Sequence, residues 1–321
     1  MVLSSISDVS IQGNLVTLNG GQKSPACGIL VVNGANVEIS GNQVTDNGND
    51  VEESTGGYQI GIGALYVIGN DVTLTDILGQ NLGEMKAGVP ALRVRGNQVS
   101  APAALALNVV ALGSVQVTDN SFVTRGRKEQ PALLPGFPDM AMAVQIANLG
   151  YQSWLAGLAA GQNADVHFEA GAGASLAPVS KTTPDGRVMF NDNQVTLAFP
   201  AFEGRDPRMV TASVVIVSKD DVGMDGNQIQ SDVTPDKLLA DCLVVGSTVR
   251  ATGNAFSEPG GSAFYSYASQ GKLMNSTIGN QAVHCIITAA PQNIELNNQV
   301  LLSQLCQRFI AVTGRVALAR Q

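Results

Sequence analysis

The chain has 321 residues, 35 of them glycine, with 45% hydrophobic, 5% aromatic and 14% charged content. Its formal net charge of −8 comes from 18 basic and 26 acidic residues, and the basic ones cluster only at Arg125, Arg127 and Lys128. That balance repels a phosphate backbone or an anionic bilayer, so no nucleic-acid partner is expected. No stretch approaches the ~20 apolar residues of a membrane span, and no basic segment followed by an apolar run opens the chain; we expect a soluble protein without a signal peptide.

The first recurrent unit is Val9–Asn14, VSIQGN. It returns as Val37–Asn42 (VEISGN), Val115–Asn120 (VQVTDN), Val188–Asn193 (VMFNDN), Val222–Asn227 (VGMDGN) and Val249–Asn254 (VRATGN). Apolar residues at every second position put one side of a short strand inward, and a Gly or Asp before Asn suits a left-handed turn residue. In the second unit the run CGILVV (27–32) precedes a turn at Asn33-Gly34 and then VEISGN, so each unit supplies more than one strand.

Residues 46–53 hold Asp46, Asp50, Glu52 and Glu53, but their order does not match a calcium loop, and a solvated turn is the expectation. ALYVIGNDV (64–72) and ALRVRGNQV (91–99) align residue for residue, with Asn70 and Asn97 27 apart (97 minus 70). We read them as successive coils showing another face of the stack. Ala104–Leu107 and Ala143–Ile146 continue the inward alternation. The repeat is irregular over about 125–140 and 151–187, where Tyr151–Gly161 suits a short helix packing Trp154 against the flank.

After Val188 the units resume with Asn193, Asn227, Asn254 and Asn280, and NIELNNQV (293–300) echoes the second unit with one residue fewer. In the tail, 301–321, Leu301, Leu302, Leu305, Phe309 and Ile310 recur at near-helical spacing, which predicts a C-terminal strand or capping helix. Cys27, Cys242, Cys285 and Cys306 show no zinc spacing and read as buried thiols, with Cys242 and Cys285 two coils apart.

These repeats resemble those of right-handed parallel β-helix proteins, the pectate lyase-like and tailspike-like superfamily. The resemblance implies an all-β fold, a single-stranded β-solenoid over residues 1–300 with a loop or short-helix insertion. It also implies a ladder of stacked amides, for which Asn14, Asn42, Asn120, Asn193, Asn227, Asn254 and Asn298 are the candidates.

Polygalacturonase-like members of that family carry Gly-His-Gly and Arg-Ile-Lys motifs, and this chain has neither. Its nearest carboxylate cluster is Asp220, Asp221 and Asp225, which reads more readily as a solvated turn than as an acid/base pair. His167 and His284 have no partners in sequence that make a nucleophile or a metal site, and the glycine-rich pieces 56–63 and 171–175 lack the Lys-Ser/Thr of a phosphate loop. No cofactor or metal is expected.

The function expected is therefore a noncatalytic structural or recognition module of a larger bacterial or phage-derived assembly, joined to other domains or copies through its N-terminal coil. The alternative is a polysaccharide lyase or glycoside hydrolase working in a groove along one face, with Asp220, Asp221, Asp225, Arg93, Arg95 and Arg250 as its residues.

Overall fold

The structure, a computed structural model, describes residues 1–17, 27–45, 60–68, 90–101, 105–124, 140–149, 187–198, 210–218, 221–232, 238–246, 248–257, 263–268, 274–278, 281–282, 285–289, 292–296, 299–300 and 317–318. Among these residues every regular element is a strand. The chain is a right-handed parallel β-helix, all-β as the repeat predicts.

Among the described residues nine coils stack along one axis, each contributing one strand to a nine-stranded parallel sheet that forms the third face. In the first two coils the other faces are made by single long strands, Val2–Gln12 and Cys27–Ser40, bent at left-handed residues Ser5, Asp8, Asn33 and Asn36. Later coils break the same path into two strands. The third coil runs Ile60–Val67, Leu92–Arg95 and Gln98–Ala101. The fourth runs Leu105–Ala111, Val115–Thr118 and Ser121–Thr124. The sixth runs Val210–Ser218, Val222–Asp225 and Gln228–Asp232, and the seventh Leu238–Gly246, Val249–Thr252 and Ala255–Ser257.

Stacking in register turns the alternation of the sequence into continuous apolar rows. On the first face Ile29, Ile62, Leu107, Val144, Val214 and Cys242 lie one above another. On the second face the row is Ile11, Ile39, Val94, Val117, Phe190, Met224 and Ala251. On the third it is Val16, Val44, Val99, Phe122, Val195, Ile229 and Phe256. All of these side chains are buried, with neighbours spaced ~4.8 Å along the axis, and β-branched residues and three phenylalanines make up much of the interior. The Cys242 thiol lies in this interior, 3.8 Å from the Met224 sulfur. Burial, and secondly the neighbouring Asp241 carboxylate, push its pKa well above the ordinary thiol range.

Two expectations from the sequence are corrected. ALYV and ALRV are not successive coils. Residues 64 and 65 pair with Val31 and Val32 on the first face, whereas Leu92–Arg95 pairs with residues 37–40 on the second. Both belong to the third coil, so Asn97 follows Asn42 in the stack after 55 residues. The last unit also keeps its count back from Gln299 without a deletion, so Asn293, not Ile294, takes the register position of Val37. Asn70, Asn280, Asn298, Cys306 and the insertions at 125–139 and 150–186 lie outside the described residues.

At the C-terminal end Ala317–Leu318 pairs antiparallel with Thr288 and Ile287 of the ninth coil, so a strand does form in the tail.

Candidate functional site

The turn between the second and third faces is the most regular feature of the molecule. The residue before each ladder asparagine has a positive φ, between +55° and +66°, at Gly13, Gly41, Gly96, Asp119, Asp192, Gly226 and Gly253. That conformation suits glycine or aspartate and aims the following asparagine side chain into the coil. Asn193 illustrates the pattern. Its Oδ1 accepts from the backbone N–H and Nδ2 of Asn120 at 3.1 and 2.9 Å. Its own N–H and Nδ2 donate to Asn227 Oδ1 at 3.0 and 3.1 Å, and Nδ2 also donates to the Val117 carbonyl at 2.9 Å.

The same bonds join Asn14 to Asn42, Asn42 to Asn97, Asn97 to Asn120, and Asn227 to Asn254. Asn42, Asn97, Asn120, Asn193, Asn227 and Asn254 are buried, so each amide finds inside the protein the partners it loses from water. Of the predicted ladder members, the structure brings together Asn14, Asn42, Asn120, Asn193, Asn227 and Asn254, and adds Asn97. The Gly-Asn-Gln at 96–98, identical to that at 41–43, is the signal for it.

Charge is distributed unevenly. The third-face sheet, nine strands long, contains one charged residue, Asp232, and its outward row carries Gln43, Gln98, Ser121, Gln194 and Gln228. Among the described residues most charged groups lie on the outer side of the second face and at its corners. Glu38, Arg93, Gln116, Met189, Gly223 and Arg250 form one outward row, and Ser40, Arg95, Thr118, Asn191 and Asp225 the next.

Asp221 sits at the corner entering this face. Its Oδ2 lies 3.7 Å from Arg187 Nη2 and 3.7 Å from Arg250 Nη2, so one carboxylate ties together the fifth, sixth and seventh coils. Arg95 Nε lies 3.9 Å from Asp119 Oδ2 one coil away. All of these pairs are solvent-accessible, which limits each to a fraction of a kcal/mol up to about 1 kcal/mol.

Of the candidate acids, Asp220 and both histidines lie outside the described residues. Asp221 and Asp225 stand at opposite ends of one short strand. Four residues at ~3.3 Å per residue separate them by roughly 13 Å, beyond the ~5–9.5 Å that a glycosidase pair spans. Asp225 is exposed, and its backbone N–H donates to Asn191 Oδ1 at 3.1 Å. Arg93, Arg95 and Arg250 share the outer side of the second face but sit in the third and seventh coils, with Arg250 engaged by Asp221. Among the described residues no group of three or more His, Cys, Asp or Glu converges as for a metal ion.

The first face holds polar groups that sequence alternation did not anticipate. Ser213 of the first face shares a hydroxyl contact with Ser231 of the third-face strand Gln228–Asp232, and Ser231 Oγ donates to Asp241 Oδ1 at 2.6 Å, all three buried. Asn108 and Gln145, register partners in adjacent coils, are buried as well, and among the described residues their side-chain carbonyl oxygens accept no hydrogen bond.

No family model, curated protein or solved structure matches this chain.

Proposed function

We propose that this protein is a noncatalytic β-solenoid of the pectate lyase-like and tailspike-like kind, acting as a structural or recognition module in a larger bacterial or phage-derived assembly. The observation that carries this reading is the fate of Asp221. The one described carboxylate of the acidic cluster that stands between coils is engaged by two guanidinium groups, with Asp225 too far away to share a reaction. The repeated positions meanwhile go to apolar rows and an amide ladder, which serve the rod rather than a reaction centre. Such a module presents long flat faces and two coil ends, surfaces suited to other domains, to copies of itself or to polysaccharide, and export within the assembly fits that role.

A polysaccharide lyase or hydrolase is the second reading. It draws on Arg93 and Arg95, two residues apart on the outer side of the second face, where Glu38, Asp119, Asp221 and Asp225 balance the charge of the arginines. Incubation with acidic and neutral polysaccharides, with and without calcium, separates the two. The module reading expects no reducing ends or unsaturated products. Product formation abolished by Asp221→Asn or Asp225→Asn would replace it with the enzyme.

A further inference from the structure

The corner that closes the first face changes along the rod. In the first three coils it turns on a left-handed residue, Ser5, Asn33 and Tyr66, with φ of +55°, +59° and +56°. The register stacks the three, because Ser4, Val32 and Leu65 pair just before them and Ile6 pairs with Gly34 just after. The fourth coil has no such residue. Leu65 pairs with Val110 and Val67 with Ala111, so Tyr66 is a bulge without a register partner in that coil. The corner therefore carries one residue more in the third coil than in the fourth, and Tyr66 stands at the step.

Asparagine tolerates a left-handed backbone, whereas a bulky tyrosine is strained in it. Packing does not offset that strain, since Tyr66 is 44% exposed. Of the aromatic side chains described, Phe122, Phe190 and Phe256 lie in the interior and Tyr66 alone is outside. Strain held at an exposed position, and on a bulge that re-aims the side chain, is a feature of ligand contacts. An apolar strip runs alongside, the half-buried outward row Val32, Leu65 and Val110. The polar groups stacked with Tyr66 are uncharged: Asn33 stands one coil away, and its Nδ2 donates to Ser5 Oγ at 3.2 Å. Three residues along the first coil, the Asp8 carboxylate accepts from Asn36 Nδ2 at 2.6 Å.

We propose that this corner, with Tyr66 as its anchor, binds a neutral polysaccharide. The proposal rests on the reading of the protein as a recognition module and names the class of its ligand. A sugar ring offers a face of C–H groups to the tyrosine ring and the apolar strip, and a rim of hydroxyls to the Asn33 amide and the Ser5 hydroxyl. Coils spaced ~4.8 Å apart present these groups in succession, so a chain of sugars lying along the corner meets them one after another. The formal net charge of −8, with Asp8 close to this column, disfavours an acidic chain and selects a neutral one.

Affinity electrophoresis of the full chain through gels holding dextran, mannan, galactan or xylan tests this, with polygalacturonate as the acidic comparison. At least one neutral polymer is expected to retard the protein, and polygalacturonate to retard it less. Tyr66→Asn gives the third coil the residue type that the second has at Asn33. It is expected to weaken binding at least about tenfold and to unfold at the temperature of the parent protein or above it. Retardation by no neutral polymer, strongest retardation by polygalacturonate, or binding indifferent to Tyr66→Asn would each overturn the proposal. So would a lower unfolding temperature for Tyr66→Asn, the mark of a tyrosine kept for packing. Sugar products released from these polymers would remove the module reading and leave the Tyr66 contact in place, so the two fail separately.

Discussion

Asn227→Ala measures what one rung of the ladder is worth. In the folded protein Asn227 Oδ1 receives the backbone N–H of Asn193 at 3.0 Å and its Nδ2 at 3.1 Å. Its Nδ2 donates to Asn254 Oδ1 and to the Phe190 carbonyl, both at 2.7 Å. Truncation does not cost four equal bonds. Asn254 Oδ1 keeps the backbone N–H of Asn227, and Asn193 Nδ2 keeps the Val117 carbonyl. What is stranded is the Asn193 N–H, with Phe190 O deprived of one donor, in a site 0% exposed at Asn227. At ~1–3 kcal/mol for an unsatisfied buried group, with some relief from relaxation, the expected loss is about 2–4 kcal/mol. Asn14→Ala supplies the control. It removes donors at a half-exposed end, and Asn42 Oδ1 still accepts the Asn14 backbone N–H, so its cost stays under about 1 kcal/mol. Equilibrium urea unfolding followed by circular dichroism reads both. Losses within ~0.5 kcal/mol of each other would refute the reasoning, because the ladder would then add nothing beyond the backbone bonds that accompany it.

Three further outcomes follow from the same geometry. Gly41→Ala meets open space and Gly226→Ala meets only the movable end of the exposed Asp192 side chain, so both pay chiefly for their positive φ, about 1 kcal/mol each, and thermal unfolding should find them equally destabilised; a much larger loss at Gly226 would contradict this. Cys242 is protonated in the fold to higher pH than in the unfolded chain. Its contribution to stability is therefore full below the unfolded thiol pKa of about 8.5 and declines as pH rises above it, by at most ~1.4 kcal/mol per pH unit. Mass spectrometry of the Cys242 peptide after iodoacetamide at pH 9 should find it unmodified in native protein and alkylated in urea; native alkylation would contradict the burial. Asp221→Asn breaks two solvent-accessible ion pairs and should lower stability by no more than about 1 kcal/mol, less at 0.5 M salt than at 0.05 M, and an equal loss at both would remove the electrostatic account.

The alternation Val-x-apolar-x and the Gly-Asn or Asp-Asn turn made the second and third faces legible, down to the left-handed residue before each asparagine. The sequence pattern alone misplaces Asn97, because ALYV and ALRV share one alternation. A strand that closes the first face and a strand that opens the third-face turn both alternate, and alternation does not say on which face of a coil a strand lies. The first face was legible only in part. Its outward residues Asn108, Gln145 and Val215 are buried, and the signal was the near-continuous apolar runs 104–112 and 212–217, the mark of a strand covered on both sides. The Asp221 bridge was not legible at all, since Arg187 and Arg250 lie 34 and 29 residues away (221 minus 187, 250 minus 221) and meet it only through the coil register.

Side-chain amide hydrogen exchange, followed by nuclear magnetic resonance, tests the continuous ladder most directly. The Nδ2 protons of Asn42, Asn97, Asn120, Asn193, Asn227 and Asn254 should exchange orders of magnitude more slowly than the Nε2 protons of the exposed Gln43, Gln98, Gln194 and Gln228. Asn97 exchanging as fast as Gln98 while its neighbours stay protected would contradict the 55-residue coil, and uniform fast exchange would contradict the ladder itself.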